Sequence, residues 1–374
     1  MFLNRERATL QQIFPGLDEE LQKLSLMKME CKNSPAIKLF REYGGPGLLI
    51  PIKYGGIGAT LLQAIQIQRA LGSRSPSLAV AVTMHHITTV MIQAMITDPS
   101  NFSLIERVAK QNLYFSSGFA EGRTNSNILE SCMQVRVASG GLIISGCKKP
   151  CTLSTSMDLM TASVILPSQD GQTNELALAV ISADDPGIER CSFWESSVLL
   201  GTESDEVKLH DVYVPEEYIY NMGDPSQLTF ILAKTFTWFQ MLASAAYLGI
   251  ASTLVERTLI AKKGIATERV AIVTEIEGAM SALEGIAYSI MNAEQGENES
   301  TVAQTLLVRY LIQATIERVT ARSTEILGGI AFIKSFEIAY LFASAHALAF
   351  HPPSRLSVTS GLDKYLLGEG SLEI

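Results

Sequence analysis

A chain of 374 residues that is 47% hydrophobic is long enough to bury two or three compact cores. Its formal net charge of −9, with no basic stripe, excludes nucleic acid as an expected partner. Five scattered cysteines (Cys31, Cys132, Cys147, Cys151 and Cys191) form no disulfide framework, and the charged N-terminal run MFLNRERATLQQIF lacks the apolar stretch of a signal peptide. The expectation is a cytoplasmic protein.

Residues 1–111 read as an all-α domain, with apolar periodicity through Ile37, Leu39 and Phe40, then Leu61 to Leu71, then Val80 to Met95. Gly44-Gly45 and Gly55-Gly56-Ile57-Gly58 interrupt it; the second break lacks the strand–turn–helix context of a dinucleotide loop. The pair His85-His86 ends an apolar stretch and reads as one core histidine and one solvent-facing partner. Residues 112–224 read as a middle β domain of barrel or sandwich type. Met133, Val135 and Val137 alternate with polar or small neighbours, Gly140-Gly141 turns the chain into Leu142 to Ser145, and further strand-like runs cover Leu159–Leu166, Leu176–Ile181 and Val207–Val214. Cys147 and Cys151 stand four apart without a second ligand pair, so no metal site is expected.

Residues 225–374 read as a C-terminal helical bundle, with helices near 226–262, 267–295, 300–327 and 335–350. Thr235 to Val255 carries no formal charge and is about one bilayer long. Gln240 and the small residues Ser244 to Ala246 favour a buried bundle helix over a membrane span.

Four segments in order, with their flanking elements, resemble the acyl-CoA dehydrogenase superfamily over nearly the whole chain. Gly47-Leu48-Leu49-Ile50-Pro51 with Tyr54-Gly55-Gly56-Ile57-Gly58 is similar to the family's opening block. Gly201-Thr-Glu-Ser204 with Asp211-Val-Tyr-Val-Pro215 is similar to its "Gly-x-x-x-Ser … Asp-Asp-Val-x-Val-Pro" block. Ala120-Glu121-Gly122 to Ser126-Asn127 aligns with its "Thr-Glu-Pro-x-x-Gly-Ser-Asp" loop, and Glu325-Ile-Leu-Gly328-Gly329 with "Gln-x-x-Gly-Gly". The resemblance implies an α+β fold: an N-terminal helical domain, a middle β-barrel domain and a C-terminal four-helix bundle.

The resemblance also implies FAD, with FMN or reduced flavin supplied by a reductase as alternatives. Its cofactor contacts fall on Ala120, Ser126, Thr152, Lys262, Lys263, Glu325, Gly328 and Gly329. Thr152, in the Pro150-Cys151-Thr152 counterpart of "Trp-Ile-Thr", keeps a hydroxyl for the flavin N5; the plain reading is a strand-end turn residue. The family's pyrophosphate arginine aligns with Ile260, leaving Lys262 and Lys263 as point charges. Glu325 sets an acid where phosphate is expected.

The catalytic glutamate of the family is missing: its C-terminal position falls on Pro352, and the alternative on Phe239. His351, beside the vacancy, and His346 are the candidate substitutes, since imidazole titrates near neutrality. The plain reading of His351 is a residue that precedes a helix-stopping Pro-Pro and bonds a carbonyl.

The expected function is dehydrogenation of an acyl-CoA or acyl-carrier-protein substrate, with hydride passing to flavin and electrons to an acceptor protein. The first alternative is a two-component flavin monooxygenase, whose branch lacks the glutamate and carries histidine before proline at this site, with a flavin reductase as partner. The second is a non-catalytic relative. The family implies a homodimer or homotetramer, no nucleic acid and no membrane.

Overall fold

A computed structural model describes residues 2–98, 102–123, 128–167, 174–225, 229–293 and 296–372. In chain order the helices are α1 (Asn4–Ile13), α2 (Leu17–Gln22), α3 (Leu26–Met29), α4 (Pro35–Glu42), α5 (Leu61–Arg74), α6 (Pro76–Met95) and α7 (Ser103–Gln111). Strands follow: β1 (Phe115–Gly118), β2 (Gln134–Ala138), β3 (Gly141–Cys151), β4 (Leu159–Pro167), β5 (Asn174–Ser182), β6 (Ile188–Cys191), β7 (Asp205–Pro215) and β8 (Ile219–Gly223). The chain ends in α8 (Phe230–Ile260), α9 (Ala266–Met291), α10 (Glu299–Leu327), α11 (Gly329–Lys334), α12 (Phe336–Ala345) and α13 (Arg355–Leu367). This is the α+β order expected. Two compact units form: one from 1–31, 60–83 and 236–374, the other from 32–59 and 84–235.

In the second unit, the strands make two four-stranded sheets, ordered β1-β4-β5-β8 and β2-β3-β7-β6. One apolar core draws on both: Leu142 and Ile144 of β3 and Val207 and Leu209 of β7 from one sheet, Ala162 and Val164 of β4 and Ala177 and Ala179 of β5 from the other. The expected hairpin is present. Ala138 pairs with Gly141, and Gly140 takes φ +74° at the turn, a conformation that costs glycine little. β1 joins its sheet parallel to β4, and a Cβ on Gly118 would lie 2.3 Å from the Thr161 carbonyl oxygen. Only glycine permits that approach.

In the first unit, α1 lies on α5, α5 on α9, α9 on α10 and α10 on α12. α5 starts with a capping box, in which Thr60 Oγ1 accepts from Gln63 N and the Gln63 side chain accepts from Thr60 N. α5 and α8 meet backbone to backbone. A Cβ on Gly72 would stand 2.2 Å from Ala246 O, and one on Gly249 would stand 2.3 Å from Arg69 O. The small residues of α8 therefore serve a helix crossing. α6 and α8 are long and apolar enough to cross a membrane, yet 78% and 83% of their most apolar windows are buried within the fold.

Candidate functional site

The turn that replaces the expected glutamate is built around a shortage of donors. After α12 a short 3-10 segment, His346–Phe350, leads into His351-Pro352-Pro353, and Ser354 caps α13 by accepting from Ser357 N. Neither proline has an N–H, so the carbonyls here must be met by side chains. Arg309 of α10, fully buried, meets three of them: Nη1 donates to Pro353 O (2.7 Å), and Nη2 to His351 O (2.6 Å) and Leu348 O (3.1 Å). Gln240 Nε2 of α8 donates to Pro352 O at 3.2 Å.

These anchors aim the His351 ring. Its Nε2 shares a 2.8 Å hydrogen bond with the Tyr247 hydroxyl, and its plane meets the Phe239 and Tyr247 rings edge-on, with centroids 5.9 and 5.4 Å away. Burial of the ring, helped by the Arg309 charge, pushes the His351 pKa down to about 4. Burial pushes the Tyr247 phenol up. At neutral pH both are uncharged, so the ring and the phenol meet as neutral hydrogen-bonding groups.

Upstream of Tyr247 on the same face of α8 lie Gln240 and Ser244, with Thr237 one turn further; the 3-4-3 spacing repeats a helical stripe. All are buried, and Thr237 Oγ1, Gln240 Oε1 and Ser244 Oγ have no hydrogen-bond partner among the described residues. Sequence reasoning noted Gln240 and Ser244 only as signs of burial. The signal available was polar groups at heptad spacing in a charge-free helix.

In the second unit, the chain segment after β1 runs beside the end of β3, with bridges Ser117↔Thr152 and Glu121↔Lys149. Glu121 is clamped structurally: Lys148 Nζ, itself buried, donates to Oε1 at 2.7 Å, and Ser131 Oγ and Cys132 N also donate to the carboxylate. Ala120 O accepts from Lys149 N. Thr152 closes a chain of hydroxyls whose proton order can be read. Thr202 Oγ1 donates to Leu199 O (2.8 Å), so Ser204 must supply the proton of its 2.8 Å bond to Thr202. Thr152 must then supply the proton of its 2.9 Å bond to Ser204. The Thr152 oxygen keeps only lone pairs for any ligand. An acceptor at this position fits the N–H that a reduced flavin carries at N5; oxidised flavin has no such hydrogen.

The remaining expected residues stand as follows. His346 Nδ1 bonds Phe342 O at 2.6 Å, within its own turn. Lys262 and Lys263 are exposed after α8, and Glu325 is exposed in the last turn of α10. Gly328 takes φ +89° between α10 and α11, and a Cβ there or on Gly329 would meet no atom within 4 Å. Ser126 lies outside the described residues. Neither His85 nor His86 faces solvent: His85 Nδ1 accepts from Phe115 N and Nε2 bonds Pro46 O, while buried His86 has no partner for either ring nitrogen. Tertiary packing of α6 overrides the apparent edge of its apolar stretch.

Fold and turn together define an acyl-CoA dehydrogenase-type scaffold with no carboxylate at either position that supplies the base. Over its full length the chain is 44% identical to isobutylamine N-hydroxylase of Streptomyces viridifaciens, spanning 99% of that protein. It therefore belongs to the acyl-CoA dehydrogenase-fold monooxygenases, the family of that N-hydroxylase. No family model matches the chain. Among solved structures, FMN-bound dibenzothiophene monooxygenase of Paenibacillus sp. A11-2 matches with TM-score 0.80 at 16% identity, over 99% of this chain and 98% of that one. Nitrososynthase of Micromonospora carbonacea matches with TM-score 0.80 at 16% identity, over 98% and 97%.

These relatives overturn the expected dehydrogenation of a CoA- or carrier-bound acyl thioester. The physical reason is visible at the turn: Pro352 and Phe239, at the two positions that would supply the base, cannot take a proton, and the His351 ring is engaged by the Tyr247 hydroxyl.

Proposed function

We propose that the protein is a two-component flavin monooxygenase that N-hydroxylates a small primary amine with reduced flavin delivered by a separate reductase. The full-length similarity to isobutylamine N-hydroxylase carries this reading. The balanced reaction converts the amine, O2, two electrons and two protons into the hydroxylamine and water. Reduced flavin, when bound, supplies the electron pair that cleaves O2, so that one oxygen reaches nitrogen and the other leaves as water.

The chain's own groups fit these needs. The acceptor-only oxygen of Thr152 matches the reduced ring, and Ala120 lies on the adjoining segment, bonded to Lys149. Lys262 and Lys263 offer charge to a flavin phosphate, and exposed Glu325 opposes it, which weakens the hold on the nucleotide end. His351 and Tyr247, both neutral, hold or pass a proton at Nε2 without binding it permanently. Exposed apolar side chains on α11 to α13, including Ile330, Ile333, Phe336 and Leu356, support assembly of the protein with further copies of itself.

The test supplies the protein with a flavin reductase, a nicotinamide donor, 18O2 and isobutylamine or its longer and shorter homologues. The expected product is the hydroxylamine carrying one labelled oxygen. Peroxide alone, with every amine, would overturn the reading.

A further inference from the structure

Two halves of α8 treat their hydroxyls differently. In the C-terminal half, Ser252 donates to Leu248 O, Thr253 to Gly249 O and Ser73 O, and Thr258 to Leu254 O. A buried helical hydroxyl normally satisfies itself this way, on the carbonyl four residues back. Thr237 and Ser244, equally buried on the same helix, make no such bond. A buried polar group without a partner is destabilising, so groups like these are met by something other than the protein.

Gln240 adds direction. Pro352 offers only a carbonyl, which takes the Nε2 donor and leaves Oε1 without a partner on the stripe. The side of α8 bearing Gly249 is occupied by α5, and the stripe lies on the opposite side of the helix, where Tyr247 and Gln240 reach the His351–Pro353 turn. The three free oxygens are neutral acceptors. The Arg309 guanidinium donates to the same turn that Gln240 reaches, and no carboxylate pairs it among the described residues.

We propose that Thr237, Gln240 and Ser244 line the substrate subsite, where Gln240 Oε1 and one flanking hydroxyl receive the two N–H bonds of a neutral primary amine. This deepens the N-hydroxylation reading and rests on it. Neutral acceptors bind N–H groups without demanding positive charge, while unpaired Arg309 repels an ammonium ion. An amine held through its hydrogens keeps its nitrogen lone pair free, and that lone pair must attack oxygen.

Three variants remove one acceptor each at nearly constant volume: Thr237→Val, Gln240→Met and Ser244→Ala. Two readouts are taken, KM for isobutylamine in the reductase-coupled assay and the melting temperature of the ligand-free protein. Gln240→Met and one of the two hydroxyl variants are each expected to raise KM about three- to tenfold, the worth of one neutral hydrogen bond. For Thr237→Val and Ser244→Ala the melting temperature should hold or rise, because a buried group without a partner has been replaced by an apolar one; Gln240→Met also removes the donor to Pro352 O and is read on KM alone. If the wild type hydroxylates the amine and all three variants keep its KM, the subsite is wrong and the function stands. A lowered melting temperature of both Thr237→Val and Ser244→Ala, with KM unchanged in all three variants, would show the oxygens to be structural, and overturns the proposal equally. If the wild type oxidises no amine, both readings fall.

Discussion

Arg69 and Arg309 are both fully buried arginines of the same helical unit, and they are solvated in opposite ways. Arg69 is closed by carboxylates: Nη1 meets Glu6 at 2.9 Å, Nη2 meets Glu277 at 2.5 Å, and Nε donates to Ser252. Arg309 donates to backbone carbonyls, stands over the Tyr310 ring and meets no carboxylate among the described residues, which leaves its charge uncompensated beside His351. A charge neutralised on the spot holds helices together. One left open shapes the chemistry of its neighbours, and the difference marks which of two similar residues belongs to a site.

The largest effect expected from breaking this comparison is on Arg69. Arg69→Met leaves Glu6 buried without its main partner and should destabilise by about 3–5 kcal/mol in urea unfolding. Turnover per folded molecule should hold; a parallel loss would erase the distinction. Arg309→Lys keeps the charge but not the fork that reaches three carbonyls. The expected cost is about 1–3 kcal/mol of stability, with a fall in turnover of about a hundredfold as the His351 ring loses its setting. Equal losses from the two arginines in both measurements would mean they play the same part.

The open charge also has a signature in pH. The folded His351 pKa, pushed down to about 4, lies below that of the unfolded chain, near 6.5. Its contribution to stability is therefore full above about pH 6.5 and is lost as pH falls towards 4. Unfolding free energies of wild type and His351→Gln, compared from about pH 7 to about pH 4.5, should converge towards acid. Parallel curves would show that the ring titrates normally.

The smallest effect belongs to the other unit. Thr202→Val frees the Ser204 proton to turn towards Thr152, and the Thr152 proton to turn outward. The preference for reduced over oxidised flavin, measured by anaerobic and aerobic titration, should narrow about three- to tenfold. An unchanged ratio would mean that the hydroxyl order does not reach the ligand.

What the sequence disclosed was the local part. The alternation at Leu159–Leu166 and Val207–Val214 lies inside β4 and β7, and the periodicity at 300–327 matches α10 almost residue for residue, because each pattern repeats within its own element. The vacancy at Pro352 was equally plain. Hidden was everything made by partners far apart in the chain. Tyr247 and His351 are 104 residues apart, and Arg309 acts on carbonyls 39 to 44 positions away, which carry no side-chain signal at all. The dehydrogenase expectation failed for a related reason. Motifs shared across a scaffold report the scaffold, whereas the missing glutamate was the one position that separated the chemistries.

The contact of Gly72 with α8 has a consequence for how such an enzyme changes over time. Two helices touching through their backbones can neither slide nor roll, so α8 offers a fixed ruler. With the proposed subsite on the opposite edge, new substrates would be accommodated by exchanging side chains there, one position at a time, with the frame left untouched. Diversity in what is oxidised is thereby uncoupled from the stability of what holds it.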